Sequence, residues 1–297
     1  MDMAAAQFEA ADLEAAVEFC YEQRWTDGLP VIPPTRGAVE RIIHYLKRDP
    51  QEVIGVIAPR DGVATIETIA INCVMAGCKP EYAPIVVAAV EALCEEQFNL
   101  NGVQTTTHSC APLVMVSGPA VKQLGFNTKE CVMGHGCRPS ATIGRAVRLV
   151  LLNVLGGVPG ELDRSTLGHP GKFTFCIAED EEDTTWLPLH AQRGVERAAS
   201  AVTVMAAVPN VMLVNPRVPA NNLRDLISWA KAQPDRLIYS SQGSGTTSHL
   251  TTEMFKAAAG VTATHVPYKG TAPALAALLS GEVNLMFDNL GVSLQHV

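Results

Sequence analysis

The chain has 297 residues, 47% of them hydrophobic, and a formal net charge of −8, which supplies cores for two globular units and excludes a disordered or fibrous chain. No block of lysine and arginine is present, so a nucleic-acid partner has no electrostatic footprint. The start, "MDMAAAQFEAADLEAAVEF", carries Asp2, Glu9, Asp12 and Glu14 where an export signal needs a basic start and an unbroken apolar stretch. The longest apolar runs fall short of the about 20 residues that a bilayer span requires. As written, the chain is expected to be cytoplasmic, with no direct membrane insertion.

In chain order, "EAADLEAAVEFCYEQR" has helical apolar spacing, "WTDGLPVIPPT" breaks it, and Thr35 can cap a second helix ending near Arg48. Short strands are expected at "EVIGVIA", "GVQTTT" and "PLVMVSG". Between them, "TIETIAINCVMAG" reads as a helix stopped by Gly77, and "EYAPIVVAAVEALCEE" as another that tolerates Pro84 in its first turns. Ser140 can cap "ATIGRAVRLVLLNVL", which Gly156 and Gly157 end; "KFTFCIAE" resembles a strand and "EDEEDTT" a solvated acidic turn. From about Val208, "NVMLVN", "RLIYSS", "ATHVPY" and "VNLMFDN" read as strands alternating with the helices "LRDLISWAKAQ", "TTSHLTTEMFKAAA" and "APALAALLS". That rhythm is the mark of a parallel sheet flanked by helices, so the fold class is α/β, mixed in the first segment and regular in the second.

Composition places the division near residue 205. Cys20, Cys73, Cys78, Cys94, Cys110, Cys131, Cys137 and Cys176 all precede residue 177, and the charge balance changes from −9 over residues 1–205 to +1 over 206–297. In so large a chain without an export signal, reduced thiols are expected rather than a disulfide scaffold.

The stretch "SSQGSGTTSHL" sits at a strand end and before a helix, where ligands gather in parallel sheets. Gly243 and Gly245 permit tight turns, and Ser241, Ser244, Thr246, Thr247 and Ser248 offer hydroxyls beside the positive end of a helix dipole. A small anion suits such a loop, and without the lysine of "GxxxxGK[ST]" a carboxylate suits it better than a nucleotide phosphate. An ordinary capped turn fits the same residues. "HVPYKGTAPAL" repeats the arrangement with Tyr268, Lys269, Gly270 and Thr271, and "FDN" leaves Asp288 and Asn289 exposed at the third strand end.

Four motifs in order, "VNPRVPA", "YSSQGSGTTSHL", "HVPYKGTAPAL" and "GEVNLMFDN", resemble the Bug-type solute receptors of tripartite tricarboxylate transporters over about 90 residues. The resemblance implies a partial periplasmic-binding-protein-like (type II) lobe over residues 206–297. It also implies a small carboxylate ligand, transporter membrane subunits as partners and a periplasmic family setting. It points to Ser241, Gly243, Gly245, Thr246, Ser248 and Tyr268 as ligand-binding residues, and Asp288, at the third strand end, is expected to join them. The exported first lobe and the carboxyl-terminal return of such receptors are not matched, and one lobe encloses only one side of a ligand. Residues 1–205, through "RWTDGLPVIPPT", "GVQTTTHSCAPLVMVSGP" and "GHPGKFTFCIAEDEEDTTWLPLH", resemble a bacterial family of poorly defined activity, some of whose members are labelled thiol-disulfide oxidoreductases. The two resemblances meet without a linker.

The first segment offers its own candidates. Cys78, beside Lys79, suits an activated thiol as well as it suits a buried apolar position. Arg138, before a capped helix, can hold an anion, with Arg145 and Arg148 following; Arg145 and Arg148 equally suit ion pairs with the "EDEED" turn. His108 lies near Cys110, and Asp163, His169 and Lys172 share a polar loop. "CVMGHGC" brings Cys131, His135 and Cys137 together without the paired spacing of a zinc site, so neither a metal nor a cofactor is expected. Two function classes follow: a carboxylate-binding module in 206–297, or an oxidoreductase-like enzyme in 1–205 using Cys78, Arg138 and Arg145.

Overall fold

Polar caps and left-handed glycines set most element boundaries. The computed structural model describes residues 3–183, 187–207 and 210–289, apart from the side chains of Asn210 and Asn289, and the chain divides into two units, Met1–Ala207 and Val208–Val297. In the first unit, α1 (Leu13–Glu22) starts where the Asp12 side chain accepts from the Ala15 amide, and α2 (Arg36–Leu46) ends at left-handed Lys47. An antiparallel pair, β1 (Val53–Ile57) and β2 (Gly62–Thr65), leads into α3 (Ile66–Ala76). A capping box between Thr65 and Thr68 opens α3, and Gly77 at φ 85° closes it. There follow α4 (Ala83–Cys94), α5 (Leu100–Thr105), β3 (Ala111–Ser117), α6 (Ala120–Gln123), α7 (Arg138–Asn153), β4 (Cys176–Ala178), α8 (Leu189–Gln192) and β5 (Ala201–Ala207).

Two local expectations fail here. "GVQTTT" is not a strand: the Asn99 side chain accepts from Gly102 N, and Leu100, Val103 and Gln104 are buried at helical spacing in α5. α7 starts three residues earlier than expected, with Cys137 rather than Ser140 in the capping position, and it ends at Asn153, ahead of the glycines. Pro139, which is favoured in a first turn, makes the earlier start possible.

β3 is the middle strand of a three-stranded sheet, parallel to β4 and antiparallel to β5 in a ladder running from Ala111↔Ala207 to Ser117↔Ala201. α3, α4 and α7 carry the core of this unit, with Ile69, Val86, Ile143 and Leu149 fully buried. At Gly144, α7 approaches the start of β4 so closely that a Cβ would stand 2.5 Å from Thr174 Oγ1 and 2.6 Å from Phe175 N.

The second unit comprises β6 (Asn210–Val214), α9 (Leu223–Ala232), β7 (Ile238–Ser241), α10 (Thr247–Ala259), β8 (Thr264–Pro267), α11 (Thr271–Ser280) and β9 (Leu285–Asn289). Its sheet order is β6-β9-β7-β8. β7 runs parallel to β8 and β9, whereas β6 is antiparallel to β9. The α/β class holds, but the sheet is mixed rather than wholly parallel; an apolar run reads the same in either direction, and antiparallel edge strands are common on such sheets. One face packs Leu226, Tyr239 and Leu285, the other Ala274, Leu278 and Met286. No helix among the described residues of the chain is long and apolar enough to cross a membrane.

Gly144 yields a prediction opposite in sign to helix propensity. Gly→Ala in a helix interior normally stabilises by about 1 kcal/mol, but Gly144→Ala drives a methyl into the Phe175 backbone and should lower the midpoint of thermal unfolding, followed by circular dichroism.

Candidate functional site

In the second unit, β7 and β8 end side by side, and the loops beyond them are stitched together. Tyr268 N donates to Ser241 O at 3.0 Å, and Gly270 N to Gln242 O at 3.2 Å. Gly243 at φ 139° and Gly245 at φ 82° make the first loop possible, since side-chain-bearing residues rarely adopt such angles. Most loop donors are satisfied within it. Gly243 N donates to Ser241 Oγ, Thr246 Oγ1 to Gly243 O at 2.7 Å, Gly245 N to His249 Nδ1 at 3.0 Å, and Ser248 Oγ to the Phe287 carbonyl. What stays open is the helix start: no side chain caps the first turn of α10 or of α11.

The residues expected to bind a ligand therefore divide. Gly243, Gly245 and Thr246 shape the mouth of α10, whereas Ser241 and Ser248 are buried and spend their hydroxyls on the protein. Ser241 Oγ lies 2.7 Å from His265 Nε2. Tyr268 does not offer its phenol: the oxygen is buried, and burial together with the Glu282 carboxylate pushes its pKa up. Asp288 is not exposed at the strand end but fully buried, with Gln242 Nε2 donating to its Oδ1 at 2.6 Å; the last strand enters the core, so its polar end is covered. The side chain of Asn289 lies outside the described residues. The sequence reading missed the support beneath the loop, where His249, His265 and Tyr239 stack, with the two imidazole centroids 4.2 Å apart. Both histidines are visible in the loop and strand sequences, but nothing in their spacing announces a stack.

The first unit disperses the expected enzyme residues. Cys78 is buried and its Sγ donates to Thr142 O at 3.3 Å, while Lys79 pairs with Glu81. Arg138 donates through Nε and Nη2 to Gly77 O, capping α3 rather than waiting for an anion. Arg145 makes a two-pronged contact with Asp27, 2.8 Å at each prong, and also donates to Leu29 O and Pro30 O. Arg148 pairs with Asp163, so neither arginine reaches the acidic turn, whose Glu182 and Asp183 instead take Lys122 and Lys129. The His108 ring turns to Thr106 rather than to Cys110.

The polar loop does assemble. Asp163 is buried between Arg148 at 3.4 Å and Lys172 at 2.7 Å, and these three, with Asp27, Gly28 and Phe173, line a cavity of about 440 Å³. Burial works against the charge of Arg148, and the Asp163 and Asp27 carboxylates offset it. His169, on the same loop, accepts from Gly171 N through Nδ1, and burial, then Lys172, lower its pKa. Among the thiols Cys137, at the mouth of α7, stands apart. Burial alone would raise its pKa, but hydrogen bonds from the Ser140 hydroxyl and amide and the Asn127 amide bring it below the ordinary thiol value. In the sequence, Cys137 stands out only through its spacing to Cys131 and His135.

Family comparison matches residues 189–297, little more than a third of the chain, to the tripartite tricarboxylate transporter family receptor. This segment resembles a solute receptor. A UPF0065 protein of Bordetella pertussis is 43% identical over 82 residues, 28% of this chain and 25% of its own length. Among solved structures, R. palustris Rpa4515 with adipate shares 46% identity over 29% of each chain at a TM-score of 0.29. The periplasmic binding protein BugD shares 36% over 30% of each at a TM-score of 0.29. The chain thus spans less than a third of the length of these relatives. The matched description is of a receptor, not an enzyme. The expected cytoplasmic location gains no support from the family match.

Two outcomes are expected. Alkylation near neutral pH should modify Cys137 ahead of buried Cys78, and Ser140→Ala should slow it several-fold, read by peptide mass spectrometry against pH. Burial, then the neighbouring His249, hold the His265 pKa below its ordinary value, so the unfolded chain takes up that proton more readily. Stability from the neutral ring is present above about pH 6.5 and declines below it. The denaturant midpoint of the second unit should fall on acidification from pH 7 to 5, and His265→Gln should flatten that dependence.

Proposed function

We propose that residues 206–297 act as a small-carboxylate binding lobe of the tripartite tricarboxylate receptor type, joined to an α/β domain over residues 1–205. The observation that carries this reading is the pair of uncapped helix starts, α10 and α11, opening beyond adjacent parallel strands and tied together by the Tyr268 and Gly270 amides. Backbone N–H groups at such an opening, aided by the helix dipoles, favour a compact anion. The match over residues 189–297 supports a receptor role, and the adipate in a relative's structure supports a dicarboxylate as the class of ligand. Transporter membrane subunits are the partners, and the periplasm the compartment, that this reading brings.

A second reading belongs to the first unit, where the cavity lined by Arg148, Asp163 and Lys172 favours an anionic substrate there. It moves the candidate chemistry from Cys78 and Arg145 to the polar loop.

Calorimetric titration of the 297-residue chain with adipate and other di- and tricarboxylates tests the first reading. Saturable heat is expected. Gly245→Ala places a side chain at φ 82° and should weaken binding by about tenfold, or 1.4 kcal/mol. Flat traces across the panel would remove the binding role, and heat lost on Lys172→Ala but retained in Gly245→Ala would move the ligand to the first unit.

A further inference from the structure

Beyond the ends of β3 and β4, two carboxylates and an imidazole converge in a cluster that shares no residue with the cavity lining. Glu179, directly after β4, accepts the Ser117 hydroxyl at 2.7 Å through Oε2 and the Leu189 amide at 2.9 Å through Oε1. Glu181 accepts the Gly118 amide at 2.5 Å through Oε1. These are two of the residues expected in a solvated acidic turn, and here they point inward. The third group is His190 on α8, only 2% exposed.

The orientation of His190 is the informative feature. Its Nε2 lies 3.5 Å from the Arg197 carbonyl, an oxygen that can only accept, which puts the ring hydrogen on Nε2. In the neutral imidazole Nδ1 is then a bare acceptor. It is buried, has no hydrogen-bond partner, and faces Glu181 Oε1 at 3.7 Å. An acceptor lone pair buried against a carboxylate is costly, and a cation between the two resolves it. One ligand atom from each of Glu179, Glu181 and His190 lies within 4.8 Å of the others. Tetrahedral ligands at about 2.1 Å from a zinc-sized ion stand about 3.4 Å apart, so side-chain shifts of about an ångström by the two carboxylates close the set.

We infer that Glu179, Glu181 and His190 form a binding site for a divalent transition-metal ion. One imidazole with two carboxylates suits zinc, iron or manganese, whereas magnesium and calcium favour oxygen alone. The supporting contacts match those of metal sites: a backbone carbonyl orients the ring from its far nitrogen, and Ser117, Gly118 and Leu189 hold the carboxylates. Three protein ligands leave a coordination position for water or a substrate group. The Glu181 side chain, 21% exposed, gives an ion a way in from solvent.

The test strips the 297-residue chain with chelator and titrates it with Co²⁺ and then Zn²⁺. One equivalent of Co²⁺ per chain should bind with a visible spectrum free of sulfur-to-cobalt charge transfer, which separates this site from the eight cysteines. Glu181→Gln should weaken binding at least about tenfold. Because replacing buried His190 risks the fold, Glu181→Gln is the deciding variant, checked by apo-protein melting equal to that of the unsubstituted chain. Zn²⁺ should raise the melting temperature of the unsubstituted chain and leave that of Glu181→Gln unchanged. The site is overturned if no saturable binding occurs, if the cobalt spectrum shows sulfur ligation, or if Glu181→Gln binds as tightly; a proton on Nδ1 would then fill the gap.

Discussion

Buried charge pairing along one face of α7 holds the first unit in its shape. Arg145 and Arg148, three residues apart and so on the same side of the helix, each bring in a segment without regular structure. Arg145 binds Asp27 and the carbonyls of Leu29 and Pro30; Arg148 binds Asp163, which also takes Lys172. Both carboxylate side chains are under 5% exposed, so removing Arg145 would strand the Asp27 charge away from water, a loss of about 3–5 kcal/mol. The segments thus secured are those that border the cavity, and the charge network that stabilises the fold also supplies that cavity's charged lining groups.

The second unit uses its polar groups differently. The hydroxyls of Ser241, Thr246 and Ser248 and the amides of Gly243 and Gly245 are consumed in building the turn, and the histidine stack supports that turn from below. In the proposed binding lobe, the groups that meet a guest are main-chain amides at two helix starts. Recognition by amides reads charge and size more than the chemistry of a guest's side groups, so the proposed site does not need its side chains free.

Much of this was legible in the order of residues. The glycine closure at Gly77 stands where spacing put it, because it depends on local backbone geometry. Features that depend on distant partners were not legible. The direction of β6, the burial of Asp288, and the pairing of Arg145 with a residue over a hundred positions away are decided by packing. α5 looked like a strand because Val103 and its threonines favour one, yet the Asn99 cap and three buried side chains prevailed. Glu179 and Glu181 looked solvated because acidic runs usually are; only the fold brings Ser117, Gly118 and His190 to them.

The ladder between β3 and β5 bears on how the molecule can be dissected. The stretch matched to the receptor family begins at residue 189 and includes β5, yet β5 pairs along its whole length with β3, a largely buried strand. Excising the receptor-like portion at the start of the match would leave β3 with a bare edge of amides and carbonyls, an invitation to self-association. A cleavage point after Ala207 keeps that edge covered, so the useful boundary for producing either half alone follows strand pairing rather than family likeness.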